Sequence, residues 1–362
     1  MDYYAGIDVS LECSSVCIVS GSGKIVREDK VASEPEALIE WLRCAGLQLA
    51  RIGLEAGPLS QWLFAAMKQA GLPVELLETR HVRTAFKLMA VKTDRKDAFR
   101  IAELMRLGWF RPVHCKSREA QETRAMLTAR KLVKSKLRDV ESSLRGILRG
   151  FGLKVGRTTP NRFAGRVNEL VTDQPTLQFM AKSLLAVHEA LLRELKNFEK
   201  RVRGMARCDV QARLLMTTPG VGPIVSLTYA SAIDDPDRFS SSKHVGAHFG
   251  MAPKKYQSGE IDVTGRISKT GDSSVRTALY EAANVILTRA VKGSALKSWG
   301  MRLAKRAGMQ KAKVAVARKL AVIMHRMLVD GRASLPSSCI ACWLTENRSI
   351  TAPPQRRSER RR

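Results

Sequence analysis

The chain has 362 residues, 62 Lys and Arg against 34 Asp and Glu, a formal net charge of +28, and 44% hydrophobic residues. That apolar share excludes a largely disordered chain, and the length allows two domains with a connecting segment. So large a cationic excess is matched to a polyanion, with nucleic acid the first candidate.

The charge is uneven: residues 1–78 hold 11 acidic and 6 basic side chains, a net of −5, so the rest carries +33. An acidic head on a basic body suits a metal-dependent nuclease, with carboxylates at the chemistry and cations along a phosphate track. A ribosome-associated or chromatin-like binder is the competing class. Cysteines 13, 17, 44, 115, 208, 339 and 342 are odd in number and scattered, and Cys339 and Cys342 form a lone C-x-x-C pair. They read as ordinary reduced thiols rather than a disulfide framework or zinc ribbon. No run of 18 apolar residues occurs, and the start lacks a basic-then-apolar signal pattern. A cytoplasmic protein is expected, nucleoid-associated when acting and without a membrane partner.

In chain order, Tyr3–Ile7 reads as a strand ending in Asp8, and segments 16–20 and 24–31 flank the hairpin signal Gly21-Ser22-Gly23. Residues 34–45 form an amphipathic helix, 51–54 a strand ending at Glu55, 60–70 a helix closed by Gly71, and 73–77 a last strand. A hairpin followed by alternating helices and strands predicts a mixed α/β sheet of the ribonuclease-H type over 1–114.

From 115 to 209 the texture is helical and basic. Val133, Leu137, Val140, Leu144 and Ile147 make one heptad seam; Leu184, His188, Leu191, Leu195, Phe198 and Val202 make another. Two long helices with a Gly/Pro-broken middle at 150–175 predict an antiparallel pair or a dimerising coiled coil, with His188 as a structural seam residue. Region 210–330 is mainly α-helical and opens with the turn Thr217-Thr218-Pro219-Gly220-Val221-Gly222-Pro223. Residues 331–362, ending in Arg360, Arg361 and Arg362, are expected to be a basic flexible tail.

Asp8 and Glu55 each end a strand. Ends of adjacent parallel strands lie within about 5 Å, so the two carboxylates can converge on one ion. Asp94 and Asp97 stand at i and i+3 near a helix start and share a face. Four such acids suit two Mg²⁺ ions about 4 Å apart, with Mn²⁺ as a substitute; one ion activates the attacking group while the other steadies the leaving oxygen. Singly, each acid reads equally well as a cap or a salt-bridge partner. Gly53 and Gly57 bracket Glu55 and allow close approach of a ligand or chain, while Lys92, Arg95 and Lys96 crowd the Asp pair where a phosphate backbone could lie. Gly220 and Gly222 resemble a helix-hairpin-helix turn, a backbone seat for phosphate, although a tight helix–helix turn needs the same residues. Further on, Lys254, Lys255, Arg266, Lys269 and Arg276 surround Ser258, with Ser268, Ser273 and Ser274 as rivals. A serine among cations is a candidate nucleophile, and equally a turn residue before Gly259.

Together, Gly6-Ile7-Asp8-Val9-Ser10, Leu54-Glu55-Ala56, Lys92-Thr93-Asp94-Arg95-Lys96-Asp97-Ala98, Pro219-Gly220-Val221-Gly222-Pro223, Phe249-Gly250-Met251-Ala252-Pro253, Ser258-Gly259 and Gly265-Arg266-Ile267-Ser268-Lys269 resemble the DEDD transposases of the insertion sequence 110 family, with which the pilin-gene invertases belong. The resemblance covers roughly 3–330. It implies a resolvase-like ribonuclease-H domain, a coiled-coil connector and a C-terminal transposase domain. It implies metal-holding, catalytic roles for Asp8, Glu55, Asp94 and Asp97, and maps the family's serine nucleophile to Ser258. It also implies a homo-oligomer, dimer or tetramer, acting on double-stranded DNA under an element-encoded noncoding guide RNA. The tail beyond Asp330 departs from that pattern. A junction-resolving nuclease using water, and a nonenzymatic nucleic-acid binder, are the alternatives.

Overall fold

Short apolar runs ending at turn residues become strands in the first unit, Met1–Ser117, of the computed structural model, which describes residues 2–78, 93–259, 261–289 and 293–332. These are β1 (Tyr3–Asp8), β2 (Cys13–Ser20), β3 (Ile25–Ala32), β4 (Leu49–Glu55) and β5 (Val74–Leu77), with helices α1 (Pro35–Cys44), α2 (Ser60–Gln69) and α3 (Asp94–Leu107). The sheet order is β3-β2-β1-β4-β5. β1, β2 and β3 pair antiparallel, whereas β1, β4 and β5 run parallel, as helical crossovers require.

Alternation along β1 and β4 divides the two faces. Ala5, Ile7, Ile52 and Leu54 are fully buried in one cluster with Leu38 and Leu42 of α1 and Leu63 and Met67 of α2. On the opposite face Gly6 and Gly53 lie under α3. A Cβ on Gly6 would stand 2.2 Å from the Ala98 carbonyl oxygen, and one on Gly53 would stand 2.7 Å from Ile101. The mixed α/β sheet expected from the strand and helix pattern is therefore present. β2 begins at Cys13 rather than Val16 because Ser14 and Ser15 are buried polar strand residues, Ser14 Oγ bonding Ser33 Oγ at 2.7 Å. Hydropathy alternation does not register such residues.

In the second unit, from Arg118 onward, α4 (Arg118–Gly150) and α6 (Pro175–Cys208) lie antiparallel. Arg130 meets Glu199 at 2.8 Å, and His188 meets Glu141 at 3.1 Å. Of the two arrangements the heptads allow, the pair is formed here within one chain. The 150–175 stretch is not merely a break: it holds α5 (Pro160–Val171), whose Pro160 opens the helix, where its missing N–H costs nothing. Leu137 and Leu144 are buried as their heptad positions predict, but Ile147 is exposed and Leu148 takes its place. A helix of 3.6 residues per turn drifts against a seven-residue repeat, so the seam moves over by one residue. His188 is buried against Phe163 at 5.1 Å between ring centroids, a packing role.

The chain continues through α7 (Val210–Met216), α8 (Pro223–Ile233), a 3-10 turn (Pro236–Arg238), α9 (Ser242–His248), β6 (Pro253–Ser258), β7 (Ile261–Ile267), α10 (Ser273–Thr288), α11 (Ala295–Ala307) and α12 (Met309–Asp330). Their core gathers Tyr229, Phe249, Leu279, Ile286, Val316 and Leu320. The region is mainly helical as expected, and the segment ending in Ser258 is strand β6, paired antiparallel with β7. No helix among the described residues is long and apolar enough to cross a membrane.

Lys319 in α12 is buried, its Nζ 5.2 Å from the Trp299 ring centroid; burial first, then Arg318, lowers its pKa to about 8. Because the unfolded chain holds that proton up to its ordinary pKa of 10.5, this group's contribution to stability rises from about pH 8 to 10.5. Lys319→Met is expected to raise the thermal midpoint at pH 7 and to remove that component of its pH dependence, read by calorimetry across the interval.

Candidate functional site

Asp8 and Glu55 are the last residues of β1 and β4, and the parallel register pairs Ile7 with Leu54 immediately before them. They stand side by side at the carboxyl ends of neighbouring strands. Gly6 and Asp8 lie on one side of β1, Gly53 and Glu55 on the same side of β4, so both carboxylates occupy the face that α3 covers. Gly53 thus admits a helix. Gly57 closes a turn instead, its N–H donating to Ser60 Oγ at 2.9 Å.

The direction of α3 follows from its contacts. Ala98 and Ala102 meet Gly6, while Ile101 and Met105 meet Gly53 and pack with Leu77. Arg106, at the carboxyl end of α3, donates to the Gly21 carbonyl at 3.4 Å, next to Ser20, the partner of Tyr3 at the start of β1. The amino end of α3 therefore lies toward the Asp8 end of that strand. Its N-cap is Thr93, whose Oγ1 accepts from the Lys96 N–H, leaving Asp94 exposed in the first turn. Asp97, 6% exposed, accepts at 2.8 Å from Arg100. Two strands and one helix thus bring all four predicted acids to one face of one sheet. The donor chemistry fits a hard divalent cation. Among the described residues, however, no three carboxylates, imidazoles or thiols close around one point. Arg100 holds Asp97 in this arrangement.

Of the predicted basic contacts in this unit, Arg95 is exposed and paired with Glu28 of β3, and Lys96 is exposed. Lys92 lies outside the described residues.

In the second unit Ser258 ends β6, exposed and cross-strand from Ile261. The register pairs Tyr256 with Val263, so Ser258, Tyr256, Ile261 and Val263 share one exposed face of the hairpin. The other face is polar, with Lys255 reaching Asp262 at 3.3 Å. No hydrogen bond engages the Ser258 hydroxyl among the described residues, whereas Ser268 Oγ accepts from the Thr270 N–H, and Ser273 and Ser274 open α10. Lys254, Arg266 and Lys269 are exposed about the hairpin. Arg276 differs: its guanidinium donates to the carbonyls of Phe249, Thr270 and Gly271, binding the turn after β7 to the end of α9. Gly220 and Gly222 lie in the turn from α7 to α8, Gly222 as the N-cap of α8.

Residue patterning alone missed three polar positions. Arg130 sits on a helix otherwise read as a connector, yet is 8% exposed. His325 is fully buried, and burial lowers its pKa, so it is neutral. Pro236 O can only accept, which puts the ring proton on Nε2 and leaves Nδ1 to accept from Ser242 Oγ at 2.9 Å. Long-range pairs of this kind have no local sequence signal.

Comparison with known proteins bears on the family. A family model described as "Transposase IS116/IS110/IS902 family" matches residues 212–299, and a second, the DEDD transposase model described as "Transposase", matches 5–152. The chain is 27% identical over 330 residues to the transposase for insertion sequence element IS1111A of Coxiella burnetii, covering 89% of this chain and 88% of that one. It is 24% identical over 244 residues to the transposase for insertion sequence element IS1328 of Yersinia enterocolitica, covering 66% and 71%. A shorter stretch of 77 residues is 35% identical to the pilin gene-inverting protein of Moraxella bovis, covering 21% and 24%. With Asp8, Glu55, Asp94 and Asp97 inside one of these matches and Ser258 inside the other, the chain belongs to the insertion sequence 110 family of DEDD transposases, enzymes that cut and rejoin DNA.

Proposed function

We propose that this transposase excises and inserts its element through a transient link between DNA and Ser258, with Asp8, Glu55, Asp94 and Asp97 holding divalent cations, Mg²⁺ in first place. The observation that carries this reading is the side-by-side placement of Asp8 and Glu55 at strand ends on the α3 face, in a chain of a DNA-transposing family. The cations, when bound, supply charge stabilisation at the reacting phosphate. The chain's own groups do the rest. Ser258 Oγ attacks phosphorus, an Oγ–P bond forms as a P–O bond to the sugar breaks, the serine proton leaves to solvent, and the freed sugar oxygen takes one up. Reversal with a second strand end reseals DNA without a nucleotide cofactor, because the phosphodiester energy is kept in the link.

Arg95, Lys96, Lys254, Lys255, Arg266 and Lys269, with Lys92, are the cations we assign to nucleic-acid backbones, and Gly220 and Gly222 to a backbone phosphate at a turn of helix-hairpin-helix kind. Arg276 serves this indirectly by holding the turn after the hairpin. The α4–α6 pair acts as the connector between acid and serine regions and as the oligomer stem. An element-encoded noncoding RNA selects the DNA.

A second reading, a junction-resolving nuclease with water as nucleophile, is favoured by one fact: Ser258 bonds no proton acceptor among the described residues. Denaturing electrophoresis separates the two. With end-labelled element DNA and Mg²⁺, we expect label to co-migrate with the protein, and Ser258→Ala to abolish both the link and recombination by about 10³-fold or more. Free DNA ends released by Ser258→Ala at the wild-type rate would sink the serine assignment and favour water.

A further inference from the structure

We propose that Arg130, on the long helix α4, completes a seat for one nucleic-acid backbone phosphodiester at the amino end of α8. The proposal rests on the reading that this chain grips nucleic-acid backbones, and adds to it a side chain from the connector helix.

A cavity of about 340 Å³ lies here, lined by Arg130, Val202, Gly222, Ile224, Val225 and Val285 among others. Arg130 donates from Nη2 to Glu199 at 2.8 Å. Its Nε–H is shielded from solvent and has no acceptor among the described residues, although the side chain is only 9% exposed. A buried guanidinium left part-satisfied is costly unless a further acceptor arrives. Three backbone donors border the same space. The N–H groups of Gly222, Ile224 and Val225 find no acceptor among the described residues, and no side chain caps α8. The positive end of the helix dipole adds to their attraction for an anion.

The two glycines of the turn divide the argument. Gly220 has φ +81°, and a Cβ there would stand 2.9 Å from the Ala282 carbonyl oxygen, so the fold itself demands glycine. Gly222 has φ −104°, open to any residue, and a Cβ there would meet nothing within 4 Å. Neither its backbone nor its neighbours call for glycine. Gly222 is among the residues that line the cavity, and without a side chain its backbone is open to close approach by a ligand.

The lining selects the ligand class. Arg130 and Arg203 are balanced by Glu199 and Glu281, and the remaining walls are largely aliphatic. A multiply charged polyphosphate would meet two carboxylates. A single negative charge flanked by carbon fits better, and a phosphodiester between two sugars has that form.

The test uses the full chain and a 30-base-pair DNA duplex of arbitrary sequence, with a 30-nucleotide RNA in parallel, followed by fluorescence anisotropy from 0.05 to 0.3 M salt. Gly222→Ala is expected to weaken binding about fivefold and to flatten the log–log salt slope by about 0.9 for the duplex, or by about 0.7 for the RNA. Arg130→Gln is expected to do the same. Gly146→Ala in α4, where a Cβ also meets nothing, is the control and should leave both values unchanged. Loss with DNA or with RNA identifies whose phosphate sits there, and either supports the seat. Unchanged slope and affinity in a folded Gly222→Ala, as judged by circular dichroism, overturns it while nucleic-acid binding by the wild type stands. Failure of the wild type to bind either probe overturns the underlying reading as well.

Discussion

Glu55→Gln is expected to lower strand cleavage by about 10³-fold, roughly 4 kcal/mol of barrier, while leaving the fold intact. The substitution keeps the shape of the side chain and removes one charge from the pair formed with Asp8 at the ends of β4 and β1. A cation held by the folded chain and not by the unfolded one raises stability by mass action, so stability and metal binding are linked here. Millimolar Mg²⁺ should raise the wild-type midpoint and leave that of the variant where it is. Calorimetry with and without Mg²⁺ reads this independently of any DNA reaction. A wild-type protein whose midpoint ignores Mg²⁺ and Mn²⁺, and a Glu55→Gln protein that cleaves normally, would together remove the acids from the chemistry.

Gly6→Ala is expected to be the most damaging single-methyl change in the first unit. Its Cβ would lie 2.2 Å from the Ala98 carbonyl oxygen, 2.3 Å from the Ala102 nitrogen and 2.9 Å from Ile101 Cβ. Two of these are helix backbone atoms, which cannot swing aside as a long side chain can. The helix α3 must lift from the sheet by more than 1 Å, opening its contacts with Cys17 and Val19, both buried. Overpacking of this severity costs about 3 kcal/mol or more. The effect should reach the site, because α3 carries Asp94 and Asp97 on its first turn. Hydrogen exchange is expected to report lost protection in α3 before the β1–β2–β3 meander, and activity to fall with it. A Gly6→Ala protein that melts like the wild type would show that α3 does not press on this face as described.

The sheet was largely legible because its strands end at the residues that matter. Tyr3–Asp8 and Leu49–Glu55 are short apolar runs closing on an acid, and that pattern is local. The pairing of Asp94 with Asp97 follows from helical periodicity alone. Other features were hidden for definite reasons. Ser14 and Ser15 are strand residues that hydropathy mistakes for a turn, since Ser14 is satisfied by Ser33, 19 residues away. The β6–β7 hairpin is exposed on both faces along nearly its whole length, so no buried face imprints an alternation on it. The drift that moves the α4 seam from Ile147 to Leu148 brings Leu148 into one cluster with Phe163 and Val167 of α5, neighbours that no heptad count includes.

Composition and spacing by themselves determined that the chain meets a polyanion, that four acids come in a strand, strand, helix-turn order, and that a serine lies among cations. These are properties of neighbouring residues and of summed charge. Only the tertiary structure decided that Gly6 and Gly53 serve a helix rather than a ligand, that Arg100 holds Asp97, that Arg276 is occupied by backbone carbonyls, and that Arg130 faces a turn some ninety residues downstream. Each of those depends on which distant atoms the fold makes neighbours. A side chain's duty is set by the partners that satisfy or crowd it, and a linear pattern carries no record of partners so far away.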